Sequence, residues 1–509
     1  MQTNSRLARK VEFGDFQTPI GLARAVVAQV AALGFRPRSI VEPSCGVGNI
    51  LFAAADGFPE FVRAIGVEVQ PAYVEVLTER LAAREDSDRV TISQADFFSH
   101  DWAGVLRELP GPVLVIGNPP WVTNAELSGG GSGNLPQKSN FQRHTGMDAI
   151  TGKSNFDISE AMLLHLARVL AGRDAVLAML CKTNVARKLL MHLWQAGTRV
   201  REPALYRIDS AAAFNASVDA CLLVCRFGGA NIELTAPVFA ALGDALPIER
   251  IGFRGGRLLA NAEMHDRWRH LEGEEVYRWR SGIKHDCADV AELSGTFGDW
   301  RTGDGVAVDI ESDLIYPMLK ASDLGNGKVH VPRRWMLVTQ RAVGEDTSKI
   351  AMDAPRTWAY LQANAERMDR RASVIYKNRP RFSMFGVGEY SFSPWKVGIA
   401  GLYKKIEFKV IGPHQGKPIV LDDTCYSVPC RTQVEAEFVA SLLNSKPARD
   451  FYSAFVFWDS KRPITVDLLR RLDVRRLAAE LGKGEEFERT CRPPELVARP
   501  VVADTLWTD

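Results

Sequence analysis

The chain has 509 residues, which is long enough for two domains because a single hydrophobic core stops growing at about 250–300 residues. Apolar residues make up 46% and charged residues 24% of the chain, and 63 basic against 61 acidic side chains leave a net charge of +2. This composition is ordinary for a soluble globular enzyme. Because the net charge is close to zero, it gives no evidence for or against a polyanionic partner. Evidence for such a partner has to come from local clusters of basic residues.

The eight cysteines form no CxxC pair, and their spacing suits neither a zinc site nor a disulfide framework. We expect them to be reduced thiols. The N-terminal MQTNSRLARK is polar and basic, and no run approaches the roughly 20 apolar residues that a membrane span requires. These features predict a cytoplasmic protein that uses neither a metal nor a membrane.

From about Arg38 to Phe227, short β-branched runs alternate with amphipathic stretches. The strand-like runs are SIVEP, AIGVEV, VTISQAD, VLVIGNPPW, AVLAMLC and DACLLVCRF. Between them, LFAAADGF, PAYVEVLTERLAARE and ISEAMLLHLARVLAGR carry apolar residues three and four apart, as amphipathic helices do. The alternation predicts a Rossmann-like α/β domain with a doubly wound parallel sheet.

One stretch, residues 128–154, interrupts this order with SGGGSGN and no hydrophobic periodicity, which predicts a loop that is flexible at least in part. Two interpretations remain open, a solvated insertion or a segment that orders over a bound partner through its cations. After Phe227 the alternation ends, and a mixed α+β pattern follows, with a helix near Glu435 to Leu443. We place the boundary near Glu275, between a first domain of residues 1–275 and a second of residues 276–509.

The first strand leads into Glu42-Pro43-Ser44-Cys45-Gly46-Val47-Gly48-Asn49, whose glycines let the backbone approach a ligand at the carboxyl end of the sheet. The run lacks the third glycine of a dinucleotide motif. At the end of the second strand, Glu68 can accept hydrogen bonds from ribose hydroxyls. The third strand leads to Asp96 and Phe97, which can bind and cover an adenine. Together the three loops predict a nucleoside site, although each carboxylate alone is equally typical of a helix cap.

The run Asn118-Pro119-Pro120-Trp121 directly follows the fourth strand. An exocyclic amine on a purine is a poor nucleophile because its lone pair is delocalised into the ring. The Asn118 side-chain oxygen and the Pro119 carbonyl can accept hydrogen bonds from both amino N–H groups and favour a pyramidal nitrogen. Two prolines hold these acceptors rigidly, and Trp121 offers a face on which a base can stack. The motif predicts transfer to a conjugated nitrogen without a covalent nucleophile, the alternative being a rigid turn.

With these motifs the chain resembles a gamma-class amino-methyltransferase of the TaqI type over about Phe13 to Phe227. The resemblance implies a class I S-adenosylmethionine-dependent methyltransferase domain followed by an α+β target recognition domain. Phe13-Gly14-Asp15-Phe16-Gln17-Thr18-Pro19 stands where that family has a cofactor motif. The resemblance implies these contacts to S-adenosyl-L-methionine: Thr18 and Pro19 at its methionine end, Glu42, Pro43, Cys45, Gly46 and Gly48 at its amino acid portion, Glu68 at the ribose, Asp96 and Phe97 at the adenine, with Asn118 beside them.

The resemblance also implies a catalytic set of Asn118, Pro119, Pro120, Trp121 and Phe214. Phe214 matches an aromatic residue that stacks on the second face of a flipped base, whereas on its own it is typical of a core residue. Residues 154–157 (SNFD) match the motif that follows the catalytic loop in that family. The chain departs from the family in two ways: Trp stands where Tyr or Phe is commoner, and the Gly/Ser insertion is long.

Residues 356–417 contain twelve Lys or Arg against four acidic residues, interleaved with aromatic side chains. This pattern favours phosphate contacts with some base reading, with a solvated basic face as the alternative. A target base inside a duplex must be extruded before it can react. We expect contacts to double-stranded DNA from Arg370, Arg371, Lys377, Arg379, Arg381, Lys396, Lys404 and Lys405.

Together these features predict a site-specific methyltransferase acting on N6 of a flipped-out adenine in duplex DNA, with a cognate restriction endonuclease as an open partner. Methylation of cytosine N4 is the nearest rival, although SPP is commoner there than NPP. Methylation of rRNA or of a protein amide stays open as well, and so does a DNA-binding subunit with a decayed methyltransferase fold. Intact Asn118, Glu68 and Asp96 argue against decay.

Overall fold

The computed structural model describes residues 17–122, 157–296 and 298–491. The predicted loop 128–154, residues 13–16 of the cofactor motif and residues 154–156 of the later family motif lie outside these described residues. The chain divides into two compact units, Met1–Ala262 and Glu263–Asp509. The boundary predicted near Glu275 therefore lies beyond the observed division, because Trp268 and Leu271 pack into the core of the second unit.

A ten-stranded sheet forms the centre of the first unit, in the order β10-β9-β8-β6-β7-β5-β4-β1-β2-β3. Its strands are β1 (Ser39–Glu42), β2 (Arg63–Glu68), β3 (Val90–Gln94), β4 (Val113–Gly117), β5 (Ala175–Lys182), β6 (Val200–Ile208), β7 (Ala220–Phe227), β8 (Thr235–Phe239), β9 (Glu249–Arg254) and β10 (Arg257–Leu259). The helices of this unit are α1 (Ile20–Ala32), α2 (Asn49–Gly57), α3 (Pro71–Ala82), α4 (Trp102–Glu108), α5 (Ile158–Leu170), α6 (Thr183–Gln195) and α7 (Ser210–Phe214), with one 3₁₀ turn at Ser87–Arg89.

Every residue of β1 and β4 is buried, and so is every residue of β5 except Lys182. Continuous burial of this kind requires helices on both faces of the sheet and explains the uninterrupted apolar runs in the sequence. The strands pair in parallel from β3 through β2, β1 and β4 to β5. The described order 3-2-1-4-5-7-6, with β7 antiparallel to both neighbours, is that of the class I methyltransferase fold and confirms the predicted fold class.

The register brings the ends of four strands to one edge of the sheet. Glu42 at the end of β1 lies opposite Gly66 of β2, and Glu68 at the end of β2 lies opposite Gln94 of β3. Asp96 and Asn118 follow β3 and β4 directly. Because the carboxyl ends of parallel strands form the ligand-binding edge of an open α/β sheet, all four polar side chains are delivered to one place.

The second unit has two sheets, with strand orders β11-β20-β17-β18 and β14-β13-β12-β16-β15-β19. Its strands are β11 (Arg280–Ser281), β12 (Glu292–Thr296), β13 (Asp299–Arg301), β14 (Ala307–Val308), β15 (Ile315–Leu319), β16 (Arg334–Leu337), β17 (Trp395–Ala400), β18 (Lys409–Ile411), β19 (Val420–Leu421) and β20 (Cys425–Cys430). Sequential strands pair mostly antiparallel, whereas β15 and β19 pair in parallel.

Short helices accompany these sheets: α8 (Ala262–Trp268), α9 (Ala288–Ala291), α10 (Ala321–Gly325), α11 (Ile350–Asp353), α12 (Pro355–Ala363), α13 (Ala365–Asp369), α14 (Gln433–Leu443), α15 (Lys446–Ser453), α16 (Val466–Leu469), α17 (Val474–Glu480) and α18 (Gly484–Thr490). Further 3₁₀ turns lie at Arg269–Leu271, Ser312–Leu314, Thr347–Lys349, Val374–Tyr376 and Glu389–Phe392. The predicted α+β character of this unit is confirmed. Among the described residues, no helix is long and apolar enough to cross a membrane.

Candidate active site

A cavity with about 1120 Å³ of empty space, open to solvent, lies at the carboxyl edge of β1 to β4. Ten of the residues singled out in the sequence line it: Thr18, Glu42, Pro43, Cys45, Gly46, Glu68, Asp96, Phe97, Asn118 and Pro120. Five others do not reach its lining: Pro19, Gly48, Pro119, Trp121 and Phe214. The structure therefore gathers the predicted nucleoside site and part of the transfer motif around one space.

The glycine loop between β1 and α2 forms one wall of this cavity. Gly46 and Gly48 have φ angles of 50° and 81°, and Gly48 is the residue before the first turn of α2. A Cβ atom on Gly48 would lie 2.2 Å from Leu77 Cδ1, and one on Gly46 would lie 2.5 Å from Gln17 Oε1. Both positions therefore require glycine, for backbone conformation and for space.

Glu68 ties the glycine loop to the second strand. One of its carboxylate oxygens accepts a hydrogen bond from Gly46 N at 2.8 Å, and the other accepts one from Gln70 N at 2.8 Å. The side chain lines the cavity although it is only 8% exposed. The carboxylate therefore holds the glycine loop against the second strand at the wall of the cavity.

Glu42 is almost completely buried at the end of β1, and its Oε2 accepts a hydrogen bond from Leu51 N at 2.7 Å. Burial raises the pKa of Glu42 well above its ordinary value, and the neighbouring Glu68 raises it further, although the Leu51 amide opposes both effects. A cation in the cavity would favour the ionised form. The ionisation of Glu42 therefore depends on whether the ligand bound in the cavity carries a positive charge.

Asp96 and Phe97 form the wall after β3. Asp96 Oδ1 accepts a hydrogen bond from Phe98 N at 2.9 Å, which caps the turn. The Phe97 ring is buried and lies 5.1 Å from the Trp102 ring, and the Trp102 indole donates to Phe97 O at 2.8 Å. Packing thus fixes the aromatic side chain beside the carboxylate.

Asn118 stands where β4 opens into the cavity, and its amide is oriented by a residue far away in sequence. Asn118 Nδ2 donates to Thr18 Oγ1 at 3.2 Å, and Thr18 O in turn accepts from Asn49 Nδ2 at 2.8 Å. Because this contact assigns the amide nitrogen to Thr18, the side-chain oxygen of Asn118 is turned away from Thr18. The predicted role of that oxygen requires this orientation.

The side chains of Trp121 and Phe214, which are predicted to stack on opposite faces of a base, contact each other directly. Both rings are buried, with centroids 5.1 Å apart and planes at 72°, an edge-to-face contact. Trp121 Nε1 donates to Leu180 O of β5 at 3.4 Å. Phe214 ends α7, and Asn215 after it has a φ of 54°. In the described conformation no base fits between the two rings.

Several residues around the site carried no signal of their own in the sequence. Gln17, Asn49, Tyr73 and Met162 also line the cavity. Arg80 of α3 donates to Val47 O and, at 2.9 Å, to Asn49 Oδ1, which braces the glycine loop. Arg80 lies within a predicted amphipathic helix, and only the fold shows what its side chain contacts.

The described residues on either side of positions 123–156 contact each other next to the transfer motif. Ile158 N donates to Val122 O at 3.0 Å. Asp157, the N-cap of α5, accepts a hydrogen bond from Ser159 N and forms an ion pair with Lys182 Nζ at 2.7 Å. Since Lys182 ends β5, the strand that also holds the Trp121 indole, one strand end anchors both sides of this segment.

Among the cations predicted to contact DNA, the structure contradicts Lys396. Its Nζ is buried and donates to Ser393 O and, at 2.9 Å, to Ile419 O. Burial lowers the pKa of Lys396 to about 7. The prediction rested on the local excess of cations, and β17 turns this side chain into the interior instead. A side chain held in this way cannot reach a phosphate.

The remaining predicted cations differ in whether their charged groups are already paired within the protein. Arg371 Nη1 donates to Ser383 O at 2.7 Å and to His285 O at 3.3 Å, and its guanidinium covers the Tyr376 ring, so it is a structural residue. Three others are exposed but form ion pairs: Arg370 with Glu366, Arg381 with Asp369, and Lys405 with Glu407. Within the described residues, the exposed Lys377, Arg379 and Lys404 form no ion pair.

A relative at high identity covers almost the whole chain. The Type II methyltransferase M.NspV from a Nostoc species is 43% identical over 470 residues, which are 92% of this chain and 98% of that protein. The chain belongs to the Type II methyltransferase family. These proteins are DNA methyltransferases of restriction-modification systems, and S-adenosyl-L-methionine is the cofactor. The Type II methyltransferase M.XamI from Xanthomonas campestris pv. amaranthicola is 32% identical over 114 residues, 22% of this chain and 20% of that protein.

Comparison with solved structures gives weaker likenesses. The Type IIL restriction-modification enzyme MmeI, solved in complex with DNA, is 12% identical with a TM-score of 0.49, covering 92% of this chain and 66% of that one. A class I methyltransferase from Listeria monocytogenes is 14% identical with a TM-score of 0.32, covering 45% of this chain and 67% of that one. No family model matches the chain.

The cavity of this Type II methyltransferase fits a cofactor with a nucleoside and a cationic amino acid portion. Ser44 Oγ is buried in the cavity wall and has no hydrogen-bond partner among the described residues, so a ligand can supply one. Three carboxyl groups, those of Glu42, Glu68 and Asp96, line the same space. They suit hydroxyl donors, amino donors and positive charge, whereas a phosphate would be repelled.

Proposed function

We propose that this protein is a site-specific DNA methyltransferase that transfers a methyl group from S-adenosyl-L-methionine to N6 of an adenine extruded from duplex DNA. The observation that carries the proposal is the Asn118 amide, which Thr18 orients at the edge of the cofactor cavity. The family supplies the reaction and the general class of substrate. The transfer motif supplies the preference for adenine, since an asparagine in its first position precedes two prolines.

In this proposal the cavity residues hold the cofactor in one orientation. Glu68 accepts the ribose hydroxyls while it retains the Gly46 amide. Asp96 accepts the adenine amino group, and Phe97 covers the ring. Glu42 and the Ser44 hydroxyl serve the amino acid portion, with Thr18 nearby. The bound cofactor supplies an activated methyl group on a sulfonium centre, so the chain needs no nucleophile of its own.

The chain then has to make the target nitrogen nucleophilic. The Asn118 side-chain oxygen accepts a hydrogen bond from one amino N–H, and the Pro119 carbonyl accepts one from the other; after transfer the nitrogen loses one of these protons to solvent. These two hydrogen bonds disfavour the planar amine and direct its lone pair outward. Two consecutive prolines hold the acceptors without a competing donor. Positive charge that develops on the nitrogen is stabilised by both acceptors and by an aromatic face of Trp121.

Extrusion of the adenine requires the Trp121–Phe214 contact to open. The rings touch edge to face in the described conformation, so a base can occupy the space between them only after they separate. Phe214 lies on a five-residue helix followed by a left-handed Asn215, and we assign the required movement to this short element. Stacking on both rings then replaces the stacking that the base loses in the duplex.

The second unit provides the contact to duplex DNA in this proposal. Among the cations predicted to contact DNA, the exposed Lys377, Arg379 and Lys404 form no ion pair with a described residue, so their charge can be offered to phosphates or bases. We further propose a cytoplasmic location, which suits eight unpaired cysteines, and a cognate restriction endonuclease as the partner enzyme.

The test is product analysis with radiolabelled cofactor. We expect the purified protein to label duplex DNA and enzymatic digestion to release labelled N6-methyldeoxyadenosine. Label in N4-methyldeoxycytidine would overturn the adenine assignment, and label in RNA or protein alone would overturn DNA as the substrate. In Asn118→Ala we expect a loss of at least about 100-fold in kcat, as for removal of an oriented transition-state acceptor, with cofactor binding retained by calorimetry. Arg254→Ala, at the end of β9 and outside the lining of the cavity, serves as the control with full activity.

A further inference from the structure

Two exposed loops of the second unit are held side by side. The first, residues 341–346, follows β16, and the second comprises residues 377–381; we call them the paired loops. Hydrogen bonds join the chain on either side of them: Thr339 Oγ1 donates to Phe382 O at 2.7 Å, and Thr347 Oγ1 donates to Arg381 O at 2.6 Å. An ideal Cβ on Gly344 would lie 3.7 Å from Arg379 Nη1, so the first loop approaches this arginine.

The second of the paired loops has an unusual backbone that the core maintains. Asn378 and Phe382 have φ angles of 60° and 66°. Asparagine tolerates this region, whereas a bulky residue such as phenylalanine rarely adopts it. Phe382 is completely buried, with its ring 5.6 Å from Trp358. Strain that is maintained by packing is typical of functional loops, and here it presents residues 377–381 in one fixed conformation.

Three consecutive side chains at the tip of this loop have unused hydrogen-bonding capacity. Lys377, Asn378 and Arg379 are exposed, and within the described residues their side chains form no hydrogen bond or ion pair. The next cation, Arg381, forms an ion pair with Asp369 at 2.5 Å. The Arg379 guanidinium lies 5.8 Å from the Phe385 ring centroid, which restricts its position without using its donors.

The chemistry of these side chains matches base edges in the major groove. A guanidinium can donate two parallel hydrogen bonds to O6 and N7 of guanine, and an asparagine amide can pair with N6 and N7 of adenine. A lysine ammonium is a point charge that suits phosphate. A rigid loop with Arg379 and Asn378 at its tip is therefore suited to sequence reading, with Lys377 on the backbone beside them.

We propose that the paired loops read base edges of the target DNA, and that Arg379 determines specificity by a bidentate contact with a guanine of the recognition sequence. The inference rests on the proposed function, and it deepens that function by assigning specificity to one loop among the many basic segments of the second unit.

The experiment compares methylated motifs. Wild type, Arg379→Ala, Arg379→Lys and Lys404→Ala are expressed in a methylation-deficient host, and the methylated positions are mapped by single-molecule sequencing. We expect both Arg379 variants to relax the motif at one guanine. On oligonucleotides, kcat/KM for the cognate site relative to sites changed at that guanine should fall about 5- to 150-fold. Arg379→Lys keeps the charge but loses the bidentate geometry.

Lys404→Ala provides the matched control, because it removes an exposed cation that is outside the paired loops. It should weaken methylation of all sites by a similar factor and leave the motif unchanged. A motif unaltered in both Arg379 variants, or a uniform loss like that of Lys404→Ala, would overturn the assignment of specificity. A wild-type protein that methylates no DNA would instead overturn the proposed function itself, so the two failures are distinguishable.

Discussion

At the scale of single residues, the orientation of Asn118 depends on Thr18. Thr18→Val removes the hydroxyl that accepts from Asn118 Nδ2 at 3.2 Å and leaves a half-buried amide donor without that acceptor. We expect kcat to fall roughly tenfold, equivalent to about 1.4 kcal/mol, with a smaller change in the Kd for the cofactor. Thr18→Ser keeps the hydroxyl and should restore kcat. Single-turnover kinetics and calorimetry measure the two effects, and an equal loss in both variants would argue against this role.

Lys396 makes stability depend on pH. Its folded-state pKa is about 7 because it is buried, whereas an unfolded lysine titrates near 10.4. Between these values the unfolded chain binds one more proton, so the free energy of unfolding rises with pH by at most about 1.4 kcal/mol per unit. Below pH 7 both states are protonated, and the cost of the buried charge is fully present.

Lys396→Met should therefore be more stable than wild type at pH 6, by a margin that shrinks as the pH approaches 10. Urea denaturation at intervals between pH 6 and 10 measures the difference. Parallel curves for the two proteins would show that Lys396 titrates normally in the folded state.

The sequence locates site residues where a local rule applies and misses them where the partner is distant. Glu42, Glu68 and Asp96 are predictable because each follows an apolar strand. The Thr18–Asn118 contact joins residues 100 positions apart, and no local pattern reports it. The basic run predicts Lys396 as a DNA contact, because a run of cations does not show which of its side chains are buried.

At the scale of elements, the turn from β1 into α2 depends on Gly48. Gly48→Ala forces a side chain into a left-handed conformation and against Leu77. Gly34→Ala is the matched control, since its φ of 77° is similar but a Cβ there meets nothing within 4 Å. We expect about 1–2 kcal/mol of destabilisation for Gly34→Ala and about 1–3 kcal/mol more for Gly48→Ala, with weakened cofactor binding only in the latter. Equal effects in urea unfolding and calorimetry would mean that the space beside Leu77 is unimportant.

The strands β1 to β5 and β7 follow from the alternation of apolar runs in the sequence, whereas β6 and the strands after Phe227 do not. Its sequence, VREPALYRI, contains a proline, and the register shifts between Arg201 and Ala204, where Glu202 has a φ of 50°. A bulge of this kind breaks the alternation on which strand prediction depends. The reversal of β7 is also invisible locally, because direction within a sheet is decided by the connection and not by the strand.

At the scale of the whole molecule, fewer cations are free to contact DNA than the number of basic residues in the sequence suggests. Residues 356–417 have an excess of cations, yet ion pairs and buried hydrogen bonds occupy many of them. Lys404→Ala removes an exposed charge, and we expect the slope of log K against log salt concentration to become shallower by about 0.9. Lys396→Met should leave that slope unchanged. Fluorescence titration of duplex DNA at several salt concentrations tests both, and a change for Lys396→Met alone would reverse this assignment.

The edge-to-face contact between Trp121 and Phe214 adds a free-energy cost to the entry of a substrate base. Such a contact contributes about 0.5–1.5 kcal/mol, and in the proposed reaction every incoming base has to replace it before it can approach the cofactor. A purine offers a larger stacking surface than a pyrimidine, so its stacking energy offsets more of the lost contact between the two rings. The resting enzyme would thus discriminate by ring size before any hydrogen bond to the base forms.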